Sequence, residues 1–429
     1  MLLWGYSIII NKHDKKLEEI KNRGAVMEGD YLHIASDIIS NVRKDGDKAL
    51  FEYTKKFDNF DINKDNIKVS RQEIEEAYNN SNKKLIESIK KAHKNILAFH
   101  KLQMEKTWLI ETETGAMLGQ KITPLDSCGI YVPGGKAAYF SSVLMNALPA
   151  VAAGVKHISM ASPAVNGKIN SAVLAAADIC GIKDIYKIGG AQAIAALAYG
   201  TESVKKVDKI TGPGNIYVAM AKKLVFGVCD IDMIAGPSEI LIIAGDNAEA
   251  KYVAADMLAQ CEHDELASAV TIVWNKELAE KIEKEVYAQL EVLPKKHIAE
   301  VSVKKHSAIV LVDNLDEACE IANNIAPEHL ELYIDDALSH IGKIRHAGAI
   351  FVGGNSPEAA GDYFAGPNHV LPTGGSAKFF SPLGTYDFFK RSSIIYYDKE
   401  SLQAGSDDII TMAENENLQG HANSIKFRV

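Results

Sequence analysis

The segment Gln260-Cys261-Glu262-His263 offers an amide oxygen and an imidazole nitrogen three positions apart. Residues three or four apart share one face of a helix, so both donors can point at one ion. That is half of a metal site, and the remaining ligands must come from elsewhere in the chain. The run Gly361-Asp362-Tyr363-Phe364-Ala365-Gly366-Pro367-Asn368-His369 places a carboxylate and an imidazole outside any periodic pattern. Long structured loops of this kind usually carry function. Asp362 can complete a hard-donor set with Gln260 and His263; the competing reading is a solvated turn with a capping Asp. Pro327-Glu328-His329, placed just ahead of a β-rich run, joins two titratable groups suited to handing protons on and off an oxygen. A chance surface pair is the competing reading there. Cys261 faces away from the Gln260/His263 side and is assigned to packing.

Three glycine-bearing turns follow predicted strands: Val132-Pro133-Gly134-Gly135, Ile188-Gly189-Gly190-Ala191-Gln192 and Thr211-Gly212-Pro213-Gly214-Asn215. Glycine lets a backbone approach phosphate closely, and a helix N-terminus favours the negative charge. None is a Gly-x-Gly-x-x-Gly fingerprint, so each reads either as a dinucleotide contact or as a tight βα connection.

The elements that must position these groups alternate. Residues from about 12 to 106 are rich in Lys, Glu and Asp at helical spacing and read as a mainly helical lead-in. From Gly129 to about 352, short β-rich runs alternate with helical ones. Strands are expected at 130–132, 157–160, 184–188, 240–244, 269–273, 308–312, 330–334 and 349–352. Helices are expected at 143–153, 172–180 and 248–261, the last with a capping box from Asp246 to Glu249. This alternation means βαβ units and parallel sheets, in two blocks at about 131–237 and from about 238. After about 383 the alternation stops; the polar tail is compatible with fraying or with lying on a partner subunit, and its His421 reads as a surface residue.

With 429 residues and 47% hydrophobic content, the chain can bury a sizeable core. The net charge of −9 argues against nucleic-acid or anionic-membrane surfaces and favours a small-molecule substrate. Five scattered cysteines without a Cys-x-x-Cys spacing imply neither a disulfide framework nor a thiolate zinc site, but reduced, buried thiols of a cytoplasmic protein. The apolar start Met1 to Ile10 lacks the basic region and cleavage site of a signal peptide, and no run approaches the length of a membrane span.

The runs Gly129-Ile130-Tyr131-Val132-Pro133-Gly134-Gly135-Lys136-Ala137-Ala138-Tyr139, Gly189 to Thr201, Gly212-Pro213-Gly214-Asn215, Ala235-Gly236-Pro237-Ser238-Glu239, Pro327-Glu328-His329-Leu330-Glu331 and Gly366 to Thr373 closely resemble the histidinol dehydrogenase family, in order and over nearly the whole chain. The resemblance implies an α/β fold of two incomplete Rossmann-like parallel-sheet domains with small N-terminal helical and C-terminal tail domains, in a domain-swapped homodimer. Its divisions would be 1–25 for the helical segment, 26–130 with 238–383 for the main domain, 131–237 for the inserted domain and 384–429 for the tail. It implies one zinc per subunit and oxidation of L-histidinol to L-histidine through a bound aldehyde, with reduction of two NAD. Carried over by position, Gln260, His263, Asp362 and His421 would hold zinc, His421 from the other subunit. His329 would be the general base and Glu328 would activate water. Ser238, His369 and Glu416 would hold the substrate along with Gln260, His263, His329, Asp362 and His421, while Tyr131, Gln192 and Asn215 would lie near the nucleotide. The mixed oxygen and nitrogen set is of zinc type, although manganese or cobalt fits it too. Departures from the family pattern are Phe140 in place of proline, Cys261 in place of alanine, and a shortened segment at 226–232.

Overall fold

A computed structural model describes residues 7–23, 29–134 and 139–429. The apolar start before Ser7 and Gly135 of the first glycine turn therefore lie outside the described residues.

The described residues open with a strand that sequence reasoning missed, β1 (Ile9–Asn11), followed by helices α1 (Lys15–Lys21), α2 (Gly29–Asp45), α3 (Asp47–Asp58), α4 (Arg71–Asn80) and α5 (Lys83–Lys101). Strands β2 (Trp108–Glu111) and β3 (Met117–Pro124) precede the first alternating block. That block runs β4 (Ser127–Tyr131), α6 (Phe140–Ala153), β5 (His157–Ala161), α7 (Ser171–Ile179), β6 (Asp184–Tyr186), α8 (Gly190–Tyr199), β7 (Lys209–Thr211), α9 (Ile216–Val225) and β8 (Asp230–Ile231). The second runs β9 (Glu239–Ala244), α10 (Ala250–Cys261), β10 (Ser268–Val273), α11 (Lys276–Val292), α12 (Lys296–His306), β11 (Ala308–Leu311), α13 (Leu315–Ile325), β12 (His329–Tyr333), α14 (Ala337–His340), β13 (Ala349–Val352) and the short α15 (Glu358–Ala360). The tail holds β14 (Phe389–Tyr396), α16 (Lys399–Asn415) and α17 (Gln419–Lys426).

The two blocks make two parallel sheets with the same strand order. The first is β6-β5-β4-β7-β8 and the second β11-β10-β9-β12-β13, with β1 added beside β11. In each, the chain steps outward from a central strand in one direction and then returns to continue on its other side. Every residue of β9 is buried, as expected for a central strand covered on both faces. Its Ile240 and Ile242 pack with the α10–α11 layer, while Leu241 and Ile243 pack with Ala318 and Ala322 of α13 on the opposite face. Two further clusters flank the first sheet, one around Leu144, Leu148 and Met160, the other around Ile194, Leu197 and Met220.

The polar tail is ordered structure. Its β14 pairs antiparallel with β3 over all eight residues, making a three-stranded sheet β14-β3-β2. These strands lack hydrophobic alternation because their side chains are largely exposed on both faces. The expected capping box at α10 does not form. Glu249 is the cap residue and makes no side-chain cap bond, while Asp246 accepts hydrogen bonds from Asn275 Nδ2 (2.9 Å) and Trp274 Nε1 (3.3 Å) across the sheet edge. A tertiary pair of donors thus outcompetes the local backbone. All five cysteines are free and buried, and no helix among the described residues is long and apolar enough to cross a membrane.

Candidate active site

The candidate proton-handling pair, Glu328 and His329, sits at the amino end of the second sheet. His329 is the first residue of β12, in register with Ile240 of β9 and Ala349 of β13, rather than in the loop expected ahead of the strand. Pairing on both sides draws His329 into the sheet, and Glu328 and His329 are 6% and 3% exposed. A carbonyl can only accept, so the 3.0 Å contact from His329 Nδ1 to the Glu239 carbonyl assigns the proton to Nδ1. Nε2 is then the free nitrogen, buried without a hydrogen-bond partner and 3.6 Å from Asp362 Oδ1. The Glu239 N–H donates to Glu328 Oε2 at 2.9 Å.

Three carboxylates surround this imidazole. Glu328 Oε2 and Glu358 Oε1 lie 3.8 and 3.7 Å from Nδ1, with Asp362 on the Nε2 side. Burial alone would lower the His329 pKa, but the charges of Glu358, Glu328 and Asp362 outweigh it and hold the value well above the ordinary 6.5. Burial pushes Glu328 up to about 8 and raises Glu358 as well. These protein charges by themselves favour the imidazolium; a cation held at Asp362 would offset them and leave Nε2 unprotonated, the form a general base needs.

Gln260 lies in the last turn of α10 and is fully buried. In the amide orientation that satisfies its neighbours, its nitrogen donates to both Glu358 oxygens (2.9 and 3.0 Å), leaving the amide oxygen directed away from that carboxylate. His263, just beyond the helix, keeps an exposed edge, yet crowding by protein atoms lowers its pKa and favours the neutral, ligating imidazole. Asp362 falls in a π-helical turn, Gly361–Ala365, continuing α15, where a structured loop outside any periodic pattern was expected. Burial would raise its pKa, but the imidazoles of His329, His369 and His263 keep it low and ionised. Deprotonated donors beside the negative end of the α10 dipole fit a divalent cation. Among the described residues, the group of metal-capable side chains held within 4.8 Å is His329, Glu358 and Asp362.

His369 is half-buried with Nδ1 3.1 Å from the Asp362 carbonyl, so it borders the cluster, and Ser238 immediately precedes β9. Glu416 and His421 are exposed on the tail, at the end of α16 and within α17, and are not part of this cluster.

Glu358 is the residue sequence reasoning missed. It sits four positions before Asp362, the spacing that stacks two side chains on one helical face, and after a Pro that can open a helix. It is held from behind: Glu331, a buried β12 side chain, accepts the Glu358 N–H at 2.9 Å. Burial and the neighbouring Asp256 raise the Glu331 pKa, so this backing group is kept protonated and costs the site no further negative charge.

The nucleotide candidates gather at the opposite kind of edge, the carboxyl ends of the first sheet. Tyr131 closes β4 and its hydroxyl accepts the Gly190 N–H at 3.0 Å. Gln192 lies in the first turn of α8, 1% exposed, and neither amide atom has a partner. Asn215 caps α9, accepting from Val218 N–H at 3.2 Å. Gly212 between β7 and α9 has φ +116°, and a Cβ there would stand 2.1 Å from the Tyr131 carbonyl oxygen. Glycine is required for that close approach. A buried unpaired amide, a glycine cradle and two helix N-termini fit a phosphate-bearing nucleotide.

Known proteins resemble this chain over nearly its whole length. The family model described as "Histidinol dehydrogenase" matches residues 8–429. Histidinol dehydrogenase of Caldanaerobacter subterraneus subsp. tengcongensis is 54% identical over 410 residues, covering 96% of this chain and 95% of that protein. The Aquifex aeolicus protein of the same name is 49% identical and covers 97% of each. The crystal structure of histidinol dehydrogenase from Elizabethkingia anophelis superposes with a TM-score of 0.94 at 38% identity, covering 98% of this chain and 97% of that one. The chain belongs to the histidinol dehydrogenase family.

Proposed function

We propose that the protein oxidises L-histidinol to L-histidine through bound L-histidinal, reducing two NAD in succession. The observation that carries this is the orientation of His329: Nδ1 is committed to the Glu239 carbonyl, and the buried Nε2 is left free beside Asp362. In the first half-reaction Nε2 takes the hydroxyl proton as the carbinol carbon gives its hydride to NAD. Glu328 then takes a proton from water as the water oxygen bonds to the aldehyde carbon, and His329 returns the proton it took from the first hydroxyl to the former carbonyl oxygen, which gives the hydrate and frees Nε2 again. The hydrate presents a new hydroxyl to His329, and loss of a second proton and a second hydride leaves the carboxylic acid. One base serves both oxidations because each begins from a hydroxyl on the same carbon.

Gln260, His263 and Asp362 would hold a zinc ion, with His421 of a second subunit as the fourth ligand. When bound, the metal would accept the substrate's imidazole and amine and so orient it. Ser238, His369 and Glu416 complete the substrate pocket in this reading. Tyr131, Gln192 and Asn215 serve NAD in this reading, and the strand order β6-β5-β4-β7-β8 of the first sheet supports reading it as Rossmann-like. The exposed His421 and Glu416, together with exposed apolar residues on the three-stranded sheet (Trp108, Leu109, Ile110, Ile395, Tyr396), support a domain-swapped homodimer with shared sites.

Two measurements test this. Turnover of histidinol should yield about two NADH per histidine, each from one hydroxyl oxidation. Mixing inactive His329→Ala with inactive His421→Ala should regenerate activity in heterodimers; no recovery after verified subunit exchange would refute the shared site.

A further inference from the structure

Glu239 touches both proton-moving groups through its own backbone: its N–H holds Glu328 Oε2 and its carbonyl holds His329 Nδ1. What fixes Glu239 itself is its side chain. Arg23, just past α1, meets that carboxylate two-pronged: Nε donates to Oε1 at 2.6 Å and Nη2 to Oε2. The two side chains are 15% and 5% exposed. The guanidinium is anchored in turn, Nη1 donating to the Ile20 carbonyl at 2.9 Å and to the Ile325 carbonyl at 3.3 Å. Oε1 of Glu239 also accepts the Gly374 N–H at 2.8 Å. The Glu239 side chain thus receives Arg23, which is itself tied to the end of α13, and the loop before Ser376, while its backbone presents two fixed dipoles to the acid–base pair.

We propose that Arg23 is a positioning residue for the reaction, acting through Glu239 on both His329 and Glu328. A bidentate guanidinium–carboxylate pair fixes direction as well as distance. Without Arg23 the buried Glu239 carboxylate loses its counter-charge and turns toward solvent or another donor, and the start of β9 turns with it. The Glu239 carbonyl then no longer holds the Nδ1 proton of His329, so the imidazole can rotate or change tautomer and Nε2 ceases to be the free nitrogen. Glu328 loses its backbone donor in the same movement. The Coulomb attraction of Arg23 for substrate plays no part, since its donors are spent on Glu239, Ile20 and Ile325.

The proposal rests on the acid–base roles given above to His329 and Glu328, and the test separates the two. Full-length wild type, Arg23→Met and Arg23→Lys are compared for kcat, for KM of histidinol and NAD, for zinc content and for melting temperature. Arg23→Met is expected to lose on the order of 10- to 100-fold in kcat with both KM values within about threefold of wild type and zinc retained. Arg23→Lys, which keeps the charge but not the fork, should recover part of that loss, and methylguanidinium should partly restore Arg23→Ala. A folded Arg23→Met with kcat within about twofold of wild type overturns the proposal. So does a parallel fall of kcat, zinc content and melting temperature that neither lysine nor methylguanidinium relieves, because that is the signature of a purely structural contact. Should Arg23→Met fail to fold, Glu239→Gln decides: it keeps the shape and one Arg23 contact, and an unchanged kcat there is equally fatal. Absence of histidinol turnover by wild type would instead refute the assigned reaction and leave the clamp aside.

Discussion

The two parallel sheets share one strand order, yet opposite edges carry their candidate chemistry. In the first, Tyr131, Gln192, Gly212 and Asn215 lie where strands end and helices begin. In the second, Glu239 and His329 open strands, and Gln260 and His263 lie where α10 ends. The electrostatics differ accordingly. Helix N-termini present unpaired N–H groups and a positive end, which suit phosphate; the end of α10 presents carbonyls and a negative end, which suit a cation. The residue types follow: glycines and neutral amides at one edge, imidazoles and carboxylates at the other. Topology alone does not say which edge of a parallel sheet is used; the charge of the ligand selects the helix end, and the helix end selects the edge.

The strongest way to break that contrast is to strip the cation edge and watch the other. Asp362→Ala removes the ionised donor between His263 and His329. We expect bound zinc and turnover to fall by at least the ~10²-fold that losing even a supporting group of a metal site can cost. NAD binding, followed by fluorescence quenching, should stay as in wild type. Loss of nucleotide binding in the folded variant would mean that the two edges form one indivisible site.

The converse change acts on the glycine cradle. At Gly212 an added Cβ would meet the Tyr131 carbonyl, at a φ that L-residues rarely adopt, so Gly212→Ala must shift the β7–α9 turn away from β4. A displacement that weakens NAD by about 1.4 kcal/mol raises its KM about tenfold. Zinc content and the KM of histidinol should not move. A metal deficit in this variant would show that the cradle supports the second sheet rather than a nucleotide.

How far the sequence spoke differs between the two edges. At the glycine edge, turns and strand ends are local, and all eight strands expected between Gly129 and Val352 exist with boundaries shifted by a few residues. Gln260, His263, Glu328, His329 and Asp362 were legible from residue type and spacing. Glu358 was not, although its four-residue offset from Asp362 was available, because a lone Glu after Pro357 resembles a helix start. Arg23 and Glu239, 216 positions apart, gave no signal at all, since only the fold brings them together. The strand β1 and the β14-β3-β2 sheet escaped for a different reason: edge and exposed strands bury too little to impose a period of two. The supposed capping role of Asp246 failed because motif rules weigh backbone partners only, whereas Asn275 and Trp274 compete for the same oxygens.

The smallest expected effect comes from the centre of the Gln260–His263 segment. Cys261 lies between Gln260 and Glu262 in sequence, but its side chain is fully buried on the other side of α10, with Sγ 3.4 Å from Ser307 Oγ. Burial raises its pKa, so the thiol stays protonated and is a poor ligand or nucleophile. Cys261→Ala removes one sulfur from a packed site where Ser307 keeps its bonds to the Ala269 N–H and the Ser302 carbonyl. A loss of about 1 kcal/mol or less in stability is expected, read as a small drop in melting temperature, with kcat within about twofold of wild type. Thiol reagents should leave native activity intact on the time scale of an assay. If Cys261→Ala instead lost zinc, the end of α10 would be set by its packing against the end of α12 rather than by the Gln260–Glu358 bond, and the cation edge would be the more delicate of the two.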